Sequence, residues 1–108
     1  MKEIRYFTLQ GKCPVKKWMS KLGVQERRLV AMYIDRLAYG NTGAAKNLKG
    51  GLWELRLYTS SGLRVYFTYE GDTIIVLLCG GNKSTQEKDI KTARAFLTIW
   101  KEVYYEKL

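Results

Sequence analysis

An α+β fold is predicted by three features of this sequence. One run alternates strictly between apolar and polar residues, a second is apolar on both sides, and amphipathic helical stretches lie before and after them. The alternating run covers residues 63–69. Leu63, Val65, Phe67 and Tyr69 share one face of a strand, and Arg64, Tyr66 and Thr68 share the other. Gly71-Asp72 makes a turn, and TIIVLLC follows with no polar face, as expected of a central strand buried on both sides. The expected architecture is a twisted, mainly antiparallel sheet in the order β-α-α-β-β-β-α. A helical hairpin from the N-terminal half covers the sheet, and one helix closes the chain.

Taken in chain order, residues 4–9 read as a short strand. Pro14 suits the first position of a helix, where its missing N–H costs nothing, and Val15, Trp18, Met19 and Leu22 recur at helical spacing before Gly23. Residues 25–39 form a second helix with Leu29, Tyr33 and Leu37 on one stripe, Val30 and Ile34 beside it, and Gly40 as its stop. Residues 41–51, NTGAAKNLKGG, lack periodicity and read as a loop carrying Lys46 and Lys49. Residues 52–58 form a strand with Trp53, Leu55 and Leu57 inward and Glu54, Arg56 and Tyr58 outward, and Ser60-Ser61-Gly62 turns it into the alternating strand. After the apolar strand, Cys79-Gly80-Gly81-Asn82-Lys83 leads into Ser84-Thr85-Gln86-Glu87, which has the form of a capping box. The last helix covers about residues 85–105, with Ile90, Ala93, Leu97, Trp100 and Tyr104 on one stripe and Phe96, Ile99 and Val103 on a second. So wide an apolar surface exceeds what one helix buries against a small domain, and part of it is expected to face a partner.

At 108 residues the chain has room for one domain, residues 1–108, with a single modest core. No apolar run is long enough to span a bilayer and no signal-peptide pattern is present, so a cytoplasmic protein without a membrane partner is expected. Cys13 and Cys79 show no metal spacing, and Cys79, ending an apolar strand, reads as a buried free thiol. The chain has no histidine, which removes Ser-His-Asp and Cys-His catalysis and histidine-ligated zinc together. No phosphate-loop or dinucleotide fingerprint occurs, so neither cofactor nor metal is expected. Lys+Arg number 19 against 10 Asp+Glu, a net charge of +9 that suits a polyanionic partner. The excess is uneven: residues 1–22 carry six cations and one acid, residues 41–64 four and one, and residues 65–82 no cation and two acids.

Cations held on a rigid sheet make phosphate the natural ligand. In-line attack of a ribose 2′-OH on the adjacent phosphate needs a base for the hydroxyl, cations for the crowded negative charge and an acid for the departing 5′ oxygen. Clustered Lys and Arg can supply all three, because neighbouring like charges lower a lysine pKa. Glu54, Arg56, Arg64 and Tyr66 are expected together on the outward face of two paired strands, with Lys83 beyond the end of the next strand and Lys46 and Lys49 in the loop leading in. Tyr66 is placed to stack a splayed base while the arginines hold its phosphates. Lys83 is the choice for the acid and Lys46 or Lys49 for the base. Glu54 is either a rival base or the salt-bridge partner of an arginine, as an ordinary exposed strand pair would also have it. Lys12, Lys16, Lys17 and Lys21 read as a solvated helix face, with ribosomal RNA binding as the sharper alternative.

The segments Gly51-Leu52-Trp53-Glu54-Leu55-Arg56, Leu63-Arg64-Val65-Tyr66-Phe67 and Leu78-Cys79-Gly80-Gly81-Asn82-Lys83-Ser84-Thr85-Gln86, with Asp89-Ile90, resemble the RelE/ParE superfamily of toxins from bacterial toxin–antitoxin modules. The branch they look most like is the HigB-like or phage Gp49-like addiction module killer group. The resemblance spans nearly the whole chain in element order, and its specific part covers about residues 46–93. It implies a toxin of a type II module, a metal-independent mRNA endonuclease acting on the ribosome, with phosphate-binding and transition-state roles for Arg56 and Arg64. The superfamily also contains inhibitors of DNA gyrase, and a phage-derived nucleic-acid-binding domain without activity is a third reading. Members of the family place a basic, histidine or tyrosine group near Lys83; here the pair is Asn82-Lys83. The resemblance further implies a cognate antitoxin, a small helix-turn-helix protein, and the second stripe of the last helix, Phe96, Ile99 and Val103, is the surface expected to receive it.

Overall fold

The computed structural model describes residues 1–106. The expectation of one domain through residue 108 extends over residues 107 and 108, which lie outside the described residues. The chain runs β1 (Glu3–Tyr6), α1 (Pro14–Ser20), α2 (Val24–Ala38), β2 (Ala45–Asn47), β3 (Trp53–Arg56), β4 (Arg64–Glu70), β5 (Ile74–Gly81), a 3₁₀ turn (Lys83–Thr85) and α3 (Gln86–Glu106). The class is α+β. Among the described residues the strands form one sheet in the order β1-β5-β4-β3-β2, in which β1 runs parallel to β5 and the other pairs are antiparallel.

Pro14 does open α1, and α2 ends as expected at Gly40. Gly40 has φ +99°, and its N–H and that of Asn41 return to the carbonyls of Leu37 and Arg36, so two of the last helical carbonyls are satisfied by a left-handed cap. Two expectations need correction. Residues 45–47, read as loop, form the short edge strand β2, because β3 offers a free edge to which Ala45, Lys46 and Asn47 pair. The helix cap lies two residues earlier than Ser84. Asn82 Oδ1 accepts from the N–H groups of Ser84 and Thr85, and the Thr85 hydroxyl accepts from the Asn82 N–H at 3.1 Å.

The alternation of β4 sorts residues between two cores. Val65 and Phe67 join Val15, Val30, Ile34, Leu37, Leu55 and Leu77 beneath α1 and α2. On the other face, Tyr66 joins Phe7, Leu52, Val76, Leu78, Ala93 and Leu97 beneath α3. A register shift in β5 opposite Tyr66 and Phe67 leaves Leu78 as the extra residue, so consecutive Leu78 and Cys79 both fall in the α3 core. Alternation then resumes, and the two glycines that follow let helices come close. A Cβ on Gly80 would stand 2.2 Å from the Trp18 ring of α1, and one on Gly81 would stand 1.7 Å from Asp89 Oδ2 of α3. The sheet is therefore covered on both sides, and the face that carries Glu54, Arg64 and Tyr66 is roofed by α3.

Candidate active site beneath the first turn of α3

Residues paired directly across an antiparallel ladder share a face. One such row runs Lys46, Glu54, Tyr66, Cys79 across β2, β3, β4 and β5, and the next runs Arg56, Arg64, Gly81. Arg56 directly opposite Arg64 is an unfavourable pair unless an anion lies between them. Glu54 is that anion. Its side chain is fully buried and its Oε1 accepts from Arg56 Nε at 2.5 Å. Its Oε2 accepts from Gln86 Nε2 in the first turn of α3 at 3.0 Å and lies 3.6 Å from Arg64 Nε, an ion pair too long to be a hydrogen bond.

Burial alone would push the Glu54 carboxyl up, but the Arg56 and Gln86 hydrogen bonds, the Arg56 charge and the Tyr66 hydroxyl outweigh it and hold the group below the ordinary glutamate range. An ionised carboxylate bound this firmly is a poor proton acceptor and a good anchor for arginines. Of the two roles open to Glu54, the geometry favours the anchor. Tyr66 is driven the other way: burial first, then the charges of Glu54 and Asp89, raise its hydroxyl far above the usual tyrosine value. It stays a protonated donor facing Glu54 without closing a bond of hydrogen-bonding geometry. Arg64 Nε and the Tyr66 hydroxyl are both buried with no hydrogen-bond partner among the described residues. Two unsatisfied donors beside a charged cluster are costly in a merely structural core. The expectation that Tyr66 stands in solvent to stack a base is corrected, because α3 covers it completely.

Arg64 is positioned by its own turn. Its Nη1 donates to the Gly62 carbonyl at 2.7 Å, and Gly62 has φ +66°, a conformation that disfavours side chains. A Cβ on Gly62 would lie 3.0 Å from Lys83 Cβ and 3.1 Å from Arg64 Nη1, so the Lys83 stem and the Arg64 guanidinium flank the same point. The Lys83 N–H donates to Ser61 O at 3.2 Å, fixing the 3₁₀ turn to the β3–β4 loop. Lys83 itself is exposed, and with the half-exposed Arg56 it borders the buried Glu54–Arg64 pair.

The profile of the family described as "Phage derived protein Gp49-like (DUF891)" matches residues 17–102. The chain belongs to the Gp49-like family. That family is a branch of the RelE/ParE-like toxin–antitoxin superfamily. An uncharacterized protein of Haemophilus influenzae is 42% identical over 78 residues, covering 71% of this chain and 79% of the relative.

Not every cation read from the sequence reaches the cluster of this Gp49-like chain. Lys46 lies at its border, exposed on the edge strand in register directly opposite Glu54. Lys49 does not reach it. It sits in the β2–β3 turn past the other end of β3, where the Leu48 and Lys49 carbonyls accept from Arg94, two turns along α3 from Gln86. Sequence reasoning gave no role to Gln86 or Asp89, whose spacing of three places both on one face of α3, where Gln86 reaches Glu54 of β3 and Asp89 stands over Gly81 of β5. Asp89 Oδ2 accepts from the Thr85 hydroxyl, and burial followed by the Asp89 charge raises the Cys79 thiol to about 12, which makes it inert. The signal for Asp89 is the demand of Gly81 for a close neighbour. On the second stripe of α3, Phe96 is half-buried and stacks on Phe7 at 4.7 Å between ring centroids. Ile99 is half-buried against the same core, and Val103 is 43% exposed.

Proposed function

We propose that this protein is the toxin of a type II toxin–antitoxin module and cleaves translated mRNA as a metal-independent endoribonuclease. One observation carries the reading: Arg56 and Arg64 face each other across β3 and β4, both tethered to a buried carboxylate that leaves one donor of Arg64 unsatisfied. The arginines bind the scissile phosphate and balance the charge that grows on its oxygens, in a site preorganised by Glu54, Gln86 and Tyr66. A 2′-OH attacks the phosphorus and the bond to the 5′ oxygen breaks, leaving a 2′,3′-cyclic phosphate and a 5′-hydroxyl. Lys46, opposite Glu54, takes the 2′ proton, and Lys83, beside Arg64, donates a proton to the leaving oxygen. The Glu54-anchored arginine pair favours this over gyrase inhibition, which needs no cations converging on one phosphate.

A toxin must be held silent, and the family supports a cognate antitoxin as partner. Its contact is assigned to the outer end of α3 at Val103, with Ile99 and Phe96 along the inner edge. Val103→Asp should weaken binding of the protein encoded beside this one by about tenfold without changing the circular dichroism of the free toxin. Unchanged affinity would move the antitoxin to another surface.

The activity is tested by inducing the protein in cells and mapping 5′ ends of mRNA by primer extension while assaying plasmid supercoiling. New 5′-hydroxyl ends with normal supercoiling are expected. Intact mRNA with blocked supercoiling would transfer the case to gyrase, and neither effect would leave a nucleic-acid-binding domain without activity.

A further inference from the structure

A cleft on the opposite side of β3 has no part in the site above. Its floor is Leu55, 1% exposed, and its walls are Tyr33 and Arg36 of α2, Asn41 of the following loop, and Tyr58 past the end of β3. We propose that this cleft is a nucleobase subsite, holding the RNA residue next to the cleaved phosphate. The inference rests on the endoribonuclease reading and adds to it the means by which substrate is gripped beyond the scissile bond.

Four observations point to a base with its phosphate. Tyr58 is 91% exposed, and among the described residues it makes no hydrogen bond or ring contact that would explain so large an aromatic group in water. Arg36 lies over the Tyr33 ring at 5.7 Å, a cation beside an aromatic wall, and no acidic residue lines the cleft. Asn41 uses its Oδ1 on the Gly43 N–H at 3.1 Å, and its Nδ2 makes no hydrogen bond among the described residues, which leaves donors for a base edge. The cleft encloses about 220 Å³, below the roughly 300–1,000 Å³ of pockets for drug-sized ligands and of a size to receive one ring system.

The path between the two sites is short. Leu55 floors the cleft and Arg56, the next residue, points to the α3 side. The Arg56 N–H donates to Ala44 O at 2.9 Å, and β2 begins only at Ala45, so on the β2 side Leu57 and Tyr58 have no strand beside them, while the Leu57 N–H still donates to Leu63 O on the other. A single strand of RNA with one phosphate on Arg56 turns round this open end of the sheet, stacks its neighbouring base on Tyr58 and brings the next phosphate to Arg36. Aromatic stacking with arginine on the backbone is the usual grip on single-stranded nucleic acid.

The test uses the full chain and ribosomes programmed with an mRNA carrying 2-aminopurine beside the cleaved phosphate. Wild type should quench the probe and cleave. Tyr58→Ala should abolish the quench and raise KM about tenfold, with kcat within about twofold, and Tyr58→Phe should behave as wild type. A Tyr58→Ala protein with wild-type KM and quench overturns the subsite and leaves the endoribonuclease reading standing. Tyr58→Ala that cleaves normally but loses antitoxin affinity also overturns it and makes the cleft an antitoxin anchor. If wild type neither cleaves nor quenches, both readings fall.

Discussion

The two faces of the sheet use alternate residues of the same strands and do opposite work. Beneath α1 and α2, Leu55, Val65, Phe67 and Leu77 form a core cluster whose buried members are all apolar. Beneath α3, the intervening residues include Glu54, Arg64 and Thr68, all buried, and Tyr66 with an unsatisfied hydroxyl. Hydrophobic burial holds the fold on the first face, whereas the second spends part of its burial on a charged cluster that an apolar core would not need. A buried ion pair is weak grounds for stability, so its presence here is more readily explained by chemistry than by folding.

The contrast breaks most visibly under substitution. Phe67→Ala opens a cavity in the apolar face and should cost about 3–5 kcal/mol in urea melts, while the molecules that remain folded cleave at the wild-type rate. Lost rate per folded molecule would mean the two faces are not separable. Glu54→Ala removes the anion between Arg56 and Arg64, and breaking a buried pair costs about 3–5 kcal/mol. The Arg56 side chain is 40% exposed, so water screens that cation and the cost falls near the low end.

Glu54 also predicts the sign of an acid transition. Its folded-state pKa is depressed below the ordinary value of 4.5, so its contribution is whole above that pH and is lost as pH falls through the lower, folded value. Urea midpoints taken from neutral pH to about pH 3 should fall in wild type below about pH 4.5 and stay flatter in Glu54→Gln. A steeper fall in the variant would reverse the assignment. The smallest effect concerns thiols. With Cys79 buried and raised to about 12, one thiol, that of half-buried Cys13, should react with a disulfide reagent under native conditions at about pH 8. Two reactive thiols would show that the face under α3 opens.

The apolar face was legible from sequence because alternation at residues 63–69 and the helical stripes of α1 and α2 depend only on spacing. The α3 face is not legible from alternation alone, because alternation by itself sorts the polar strand residues to water. The correction was present in the sequence: Ile90, Ala93, Leu97 and Trp100 require a sheet face, and α1 and α2 already occupy the other. Roofing by α3 makes Glu54 and Tyr66 buried supports instead of exposed ligands, and it brings in Gln86. Strand β2 was hidden because Ala45-Lys46-Asn47 has no β-forming residue and pairs only through its backbone register with β3. Arg56 and Arg64 do come together on Glu54 with the Lys83 stem beside Arg64, whereas Lys49 is near Lys46 only in sequence, and the hairpin turn carries it away.

The most direct test of the account is single-turnover cleavage of mRNA on programmed ribosomes by Arg64→Ala, with thermal melts of the same preparations. A loss of about 10²-fold or more in rate per folded molecule is expected, with partial recovery in Arg64→Lys, because lysine lacks the fork that grips two phosphate oxygens. Lys16→Ala, on the helical face, should keep the wild-type rate. An Arg64→Ala protein that cleaves as fast as wild type, or a Lys16→Ala protein that loses as much, would contradict the placement of the chemistry beneath α3.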